Sequence, residues 1–183
     1  KLSQAVNANQ TAVELSPQDM EALNNLGNTL NKIGRLDEAE ASLRQAIMLK
    51  PDFAEAHNNL GMTLQEVGKS DEALASYTQA IALKPDYPNA HLNLGNTLQE
   101  VGRLDEALAS YTQAIALKPD YAEVHNNLGI ILKELERLDE SEASLRQATA
   151  LKPNDAQTHF NLGNILNKIG RLDEAEASLR QAI

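Results

Sequence analysis

The chain has 183 residues, a net charge of −10 and a pI near 4.8, and so acidic a surface repels phosphate backbones and argues against nucleic-acid binding. Apolar residues make up 42% but aromatics only 3%, so a core must be built from Leu, Ile, Val and Ala, a composition that favours helices over sheets. Cysteine is absent, which excludes disulfides and cysteine-held zinc, and no apolar run approaches the roughly 18 residues of a membrane span.

Residues 1–16 read as a single amphipathic helix through Leu2, Ala5, Ala12 and Leu15, closed by Pro17, with Asn9 where a large apolar residue belongs. A first full hairpin follows. Leu23, Leu26, Leu30 and Ile33 lie at helical spacing in a helix from Glu21 to Ile33, and Gly34 ends it in a left-handed turn. Asp37 and Glu38 then suit the positive end of a second helix, whose stripe is Leu36, Ala39, Leu43, Ala46 and Ile47. Pro51 stops that helix, and Asp52 with Glu55 is expected to cap the next one; Asp120 and Glu123 repeat the pair.

From here the chain repeats. Leu-Gly pairs at Leu26-Gly27, Leu60-Gly61, Leu94-Gly95, Leu128-Gly129 and Leu162-Gly163 are 34 residues apart, and Pro17, Pro51, Pro85, Pro119 and Pro153 keep the same interval in phase. Residues 25–47 and 161–183 differ only at Thr29 and Ile165. Glycine inside a helix needs a packing reason, so each Leu-Gly pair predicts close approach of a neighbouring helix. Gly34, Gly68, Gly102 and Gly170 mark the turns within hairpins; Glu136 takes that slot in the fourth repeat and predicts a strained turn.

The period, the Leu-Gly pair, the buried Ala and the closing Pro resemble the tetratricopeptide repeat, over essentially the whole chain. In the second repeat the matching residues are His57, Leu60, Gly61, Leu64, Ala73, Tyr77, Ala80 and Pro85. Leu23 and four histidines stand in the usual Trp slot, Leu30 and its equivalents replace Tyr, and Ser141 replaces a buried Ala. The resemblance implies an all-α, right-handed solenoid of helical hairpins. The expected organisation is a second helix at 1–19, then repeats at 20–53, 54–87, 88–121, 122–155 and 156–183. Neither end carries a polar capping helix, which fits either a piece of a longer protein or ends that stack head to tail between molecules.

The same resemblance implies that first helices line a concave groove. The residue before each Leu-Gly pair is Asn every time, at Asn25, Asn59, Asn93, Asn127 and Asn161, and three residues on come Asn28, Met62, Asn96, Ile130 and Asn164. Amide side chains donate and accept, so such a ladder suits the backbone of an extended peptide. The row is similar to that in the repeat arm of O-linked N-acetylglucosamine transferases. The peptide-binding candidates are Asn25, Asn28, Asn59, Asn93, Asn96, Asn127, Asn161 and Asn164. Asn24, Asn58 and Asn126 flank the ladder, and Leu92 and Phe160 interrupt that row.

No Arg replaces a ladder Asn, so the carboxylate clamp of chaperone-binding members is not matched. Glu21, Glu55, Glu66, Glu100, Glu123 and Glu134 outnumber Lys32, Lys133 and Lys168 along the groove, which favours a neutral or basic segment over an acidic one. His57, His91, His125 and His159 recur too far apart to share one ion and are expected to pack and bond locally. Tyr77 and Tyr111 are expected in the core, and Phe53, Tyr87 and Tyr121 at the junctions between repeats. No nucleophile–base set stands out, so no catalysis, cofactor or metal is expected. The reading is a non-catalytic interaction scaffold that binds an extended protein segment. The alternatives are a substrate-recruiting arm of a larger enzyme, such as a glycosyltransferase, and self-assembly through the ends. No signal-peptide pattern is present, and a cytoplasmic setting is expected.

Overall fold

The computed structural model describes residues 2–183, and side chains from residue 4 onward, so the predicted burial of Leu2 lies outside the described side chains. The described residues form eleven helices and no strand. After α1 (Leu2–Leu15) they alternate as hairpins: α2 (Met20–Lys32) with α3 (Leu36–Leu49), and α4 (Ala54–Glu66) with α5 (Ser70–Leu83). Next in chain order come α6 (Pro88–Glu100) and α7 (Leu104–Leu117), then two more hairpins, α8 (Ala122–Glu134) with α9 (Leu138–Leu151) and α10 (Ala156–Lys168) with α11 (Leu172–Gln181). Two compact units divide within α6, one reaching Thr97 and the other beginning at Leu98.

Small residues set the packing in each unit. A Cβ added at Gly27 would stand 2.5 Å from Leu43 Cγ, and one at Gly61 would stand 2.6 Å from the Tyr77 ring. Gly129 faces Leu145 and Gly163 faces Leu179 in the same way. On α3, α5, α9 and α11 the large residue therefore fills the space that a side chain on the first helix would need, which is the close approach predicted from the Leu-Gly pairs. Ala39, Ala46, Ala73 and Ala80 are fully buried in the first unit, and Ala107, Ala114 and Ala148 in the second. Ser141, in the alanine slot of α9, is equally buried and donates its hydroxyl to the Gly129 carbonyl at 2.6 Å. A buried hydroxyl with an acceptor costs little.

The turns follow the glycines. Gly34, Gly68, Gly102 and Gly170 have φ between 77° and 85°, and Glu136 adopts φ 57° in their place. At Asn9 the missing apolar contact is replaced by hydrogen bonds from its Nδ2 to Thr29 Oγ1 (2.9 Å) and the Asn25 carbonyl (3.2 Å).

The predicted caps are one residue out. Helices α4 and α8 start at Ala54 and Ala122, so Phe53 and Tyr121 are the N-caps and neither gives a side-chain bond. Their slot holds Asp19 before α2 and Asp155 before α10, and there the carboxylate does accept first-turn N–H groups. The aromatic residues instead sit half-buried under lysines, with Lys50 Nζ 5.2 Å from the Phe53 ring centre and Lys118 Nζ 4.4 Å from that of Tyr121. Glu55 pairs with Lys84 at 2.9 Å.

Candidate functional site

Helices α2, α4 and α6 place two rows of asparagine side by side in the first unit. Asn24 and Asn58 are buried, at 8% and 4% exposure, and their Oδ1 atoms accept from the next repeat. Asn59 Nδ2 donates to Asn24 Oδ1 at 2.9 Å, and Asn93 Nδ2 to Asn58 Oδ1 at 3.0 Å. In the second unit Asn161 Nδ2 donates to Asn126 Oδ1 at 2.8 Å. The residues that only flanked the ladder in the sequence are thus its anchors. The offset of 35 residues, one more than the repeat, is the signal that the sequence carried for this pairing.

The candidates differ in how far the fold already uses them. Asn59 and Asn93 each spend one N–H on the anchor row. Asn161 also accepts from Gln157 Nε2 at 3.2 Å, and Asn127 Oδ1 accepts from its neighbour Asn126. Asn25 is exposed, while Asn28, Asn96 and Asn164 are half-buried. Leu92 holds the slot where Asn24 and Asn58 stand, and it offers no amide oxygen.

A cleft of about 590 Å³ opens beside this row in the first unit, lined among others by Glu21, Asn24, Asn25, Phe53 and Glu55. Lys50 and Lys84 also line it, so it is less acidic than the glutamates alone suggested. The hydrogen bond from Lys84 holds the Glu55 carboxyl below the ordinary range, against the upward push of desolvation.

The histidines bond locally, as expected. The Nε2 of His57, His91, His125 and His159 donates to the carbonyl of the proline six residues earlier, at 2.8–3.1 Å. Tyr77 and Tyr111 are fully buried, and their hydroxyls donate to Gln65 Oε1 and Gln99 Oε1, both at 3.1 Å. Burial pushes the Tyr111 hydroxyl far above its ordinary range. Among the described residues no helix is long and apolar enough to cross a membrane, and no group of three His, Cys, Asp or Glu is placed to hold a metal.

Family models match three overlapping stretches of the chain. The model for the C-terminal domain of cilia and flagella-associated protein 70, a tetratricopeptide-repeat domain, matches residues 53–183. Two general models, described as TPR repeat and tetratricopeptide repeat, match residues 27–68 and 8–41. The chain belongs to the tetratricopeptide-repeat family. No curated protein matches it. Among solved tetratricopeptide-type folds, MamA superposes with a TM-score of 0.80 at 22% identity, covering 86% of this chain and 92% of MamA. YrrB, described as a TPR protein with an unusual peptide-binding site, gives 0.79 at 23% identity over 98% of this chain and 92% of its own. PilF of Pseudomonas aeruginosa gives 0.83 at 22% identity over 92% of this chain and 79% of its own. At such identities the likeness establishes a shared tetratricopeptide solenoid fold.

Proposed function

We propose that the chain is a non-catalytic scaffold that binds an extended, neutral or basic peptide segment along its first helices through the asparagine row. The observation that carries this reading is the clamping of Asn59 and Asn93 by Asn24 and Asn58. Each clamped amide keeps one N–H and a carbonyl oxygen, the pair needed to bond both groups of a peptide unit. Because the side chains are already fixed, little rotamer entropy remains to be lost on binding. Peptide binding in YrrB is consistent with the reading. A role as the recruiting arm of a larger enzyme uses the same surface.

The test is a peptide array at low salt, followed by titration of a selected peptide against the triple variant Asn59→Ala, Asn93→Ala, Asn127→Ala. Loss of three hydrogen bonds at roughly 1 kcal/mol each predicts about a hundredfold weaker Kd. An unchanged Kd would sink the ladder as the binding element.

A further inference from the structure

The cleft beside the asparagine row in the first unit draws on both sides of the α2–α4 contact. Glu21, Asn24 and Asn25 come from α2, Asp52 from the turn before α4, and Glu55 from α4 itself. Lys50 and Lys84 complete the charged lining, so three carboxylates face two ammonium groups. The two cations are not shared evenly. Lys84 bonds Glu55 at 2.9 Å. One repeat earlier, Lys50 and Glu21 hold the same two positions, yet Lys50 lies over the Phe53 ring at 5.2 Å and leaves Glu21 unpaired. Among the described residues neither the Glu21 nor the Asp52 carboxylate has a counterion, and both residues are exposed.

A buried amide adds a second, independent demand. Asn24 lines the cleft at 8% exposure. Its Oδ1 is taken by Asn59, while among the described residues nothing accepts from its Nδ2. A nearly buried donor that opens on a cleft calls for an acceptor from a ligand. The two carboxylates call for a cation, and the amide calls for a carbonyl oxygen. One peptide segment supplies both when it carries a basic side chain. A metal ion or a simple amine brings no acceptor, and an acidic side chain brings a charge that Glu21 and Asp52 repel.

We infer that this cleft receives one basic side chain of the bound peptide, arginine in preference to lysine, with its cation against Glu21 and Asp52 and a backbone carbonyl of the same segment accepting from Asn24 Nδ2. This rests on the peptide-binding reading of the asparagine row and names the side chain that the cleft selects. Asn25 belongs to the row and also lines the cleft, so a backbone held by the row passes the mouth of the cleft. A guanidinium carries five N–H donors in a planar fork and serves two carboxylates at once, which a single ammonium on a flexible stem does less well.

NMR titration of the side-chain amides at low salt tests it, with short capped peptides of Ala, Ser and Thr that carry one central Arg, Lys, Ala or Glu. The Arg peptide should shift the Asn24 and Asn25 amide signals and bind about tenfold more tightly than the Ala peptide, with the Lys peptide between them. Added salt should shrink that advantage. The double variant Glu21→Gln, Asp52→Asn should bring the Arg peptide down to the affinity of the Ala peptide; both residues are exposed, so the exchange spares the fold. Equal binding of the Arg and Ala peptides, with the Asn59 and Asn93 signals still moving, keeps the row and overturns the basic-residue cleft. Tightest binding of the Glu peptide also overturns it and hands the cleft to Lys50 and Lys84. An Arg advantage that survives the double variant overturns Glu21 and Asp52 as its source. If no peptide moves the Asn59 and Asn93 signals, the row reading falls and this inference with it.

Discussion

Glu136 shows how a single residue strains a turn that glycine makes freely. At φ 57° its Cβ meets the backbone, and its carboxylate is held by Lys168 at 2.8 Å. The left-handed region costs a non-glycine residue about 1–2 kcal/mol, whereas an exposed ion pair returns less than about 1. Glu136→Gly should therefore raise stability by about 1 kcal/mol, read as a higher urea midpoint at constant slope. A lower midpoint would show that the Lys168 contact outweighs the strain. Gly129 presents the reverse case. A methyl there would lie 2.6 Å from Leu145 Cγ, on a side chain that is 1% exposed and cannot swing away. Gly129→Ala should cost about 1–3 kcal/mol in the same assay. Both positions were legible in the sequence, because a 34-residue period makes any departure from glycine, or its persistence inside a helix, stand out.

Between elements, legibility fell where two residue types compete for one slot. The Pro-Asp-aromatic run suggested Asp52 as a cap, yet the helix begins after Phe53 and lysine covers the ring. Only Asp19 and Asp155 reveal that the capping slot is the aromatic one. The ion pairs between second helices were also invisible, since Glu40 and Lys69 lie 29 residues apart and no local pattern joins them. Those pairs make stability depend on pH. Burial pushes the Glu40 carboxyl upward, but hydrogen bonds from Arg44 and Lys69 outweigh it and leave the group below its ordinary value. Glu174 is lowered by hydrogen bonds from Arg171 and Arg146. A lowered carboxyl contributes stability that is complete above the unfolded value and is lost as pH falls through the folded one. Thermal scans should therefore hold a plateau above pH about 5 and fall steeply below pH about 4. Replacing both Glu40 and Glu174 with Gln should lower the plateau and flatten the acid limb; an unaltered limb would assign acid sensitivity to other carboxylates.

For the molecule as a whole, the asparagine row ties neighbouring repeats together and is also the surface proposed to read a peptide, and single variants can part the two roles. Asn59→Ala leaves Asn24 Oδ1, in a side chain 8% exposed, without its donor. An orphaned buried acceptor costs about 1–3 kcal/mol, so the melting temperature should fall along with peptide affinity. Asn25 is exposed, and what the fold uses of it is its backbone carbonyl, which Asn9 and Thr29 engage. Asn25→Ala keeps that carbonyl, so stability should stay within about 0.5 kcal/mol of the parent. If the row reads a peptide backbone, Asn25→Ala still weakens binding, by about the fivefold to tenfold of one hydrogen bond. If binding falls only where stability falls, the amides are struts between repeats and the ligand is held elsewhere. Measuring Kd and melting temperature for these two variants side by side decides between an amide row that recognises a chain and one that only holds the repeats together.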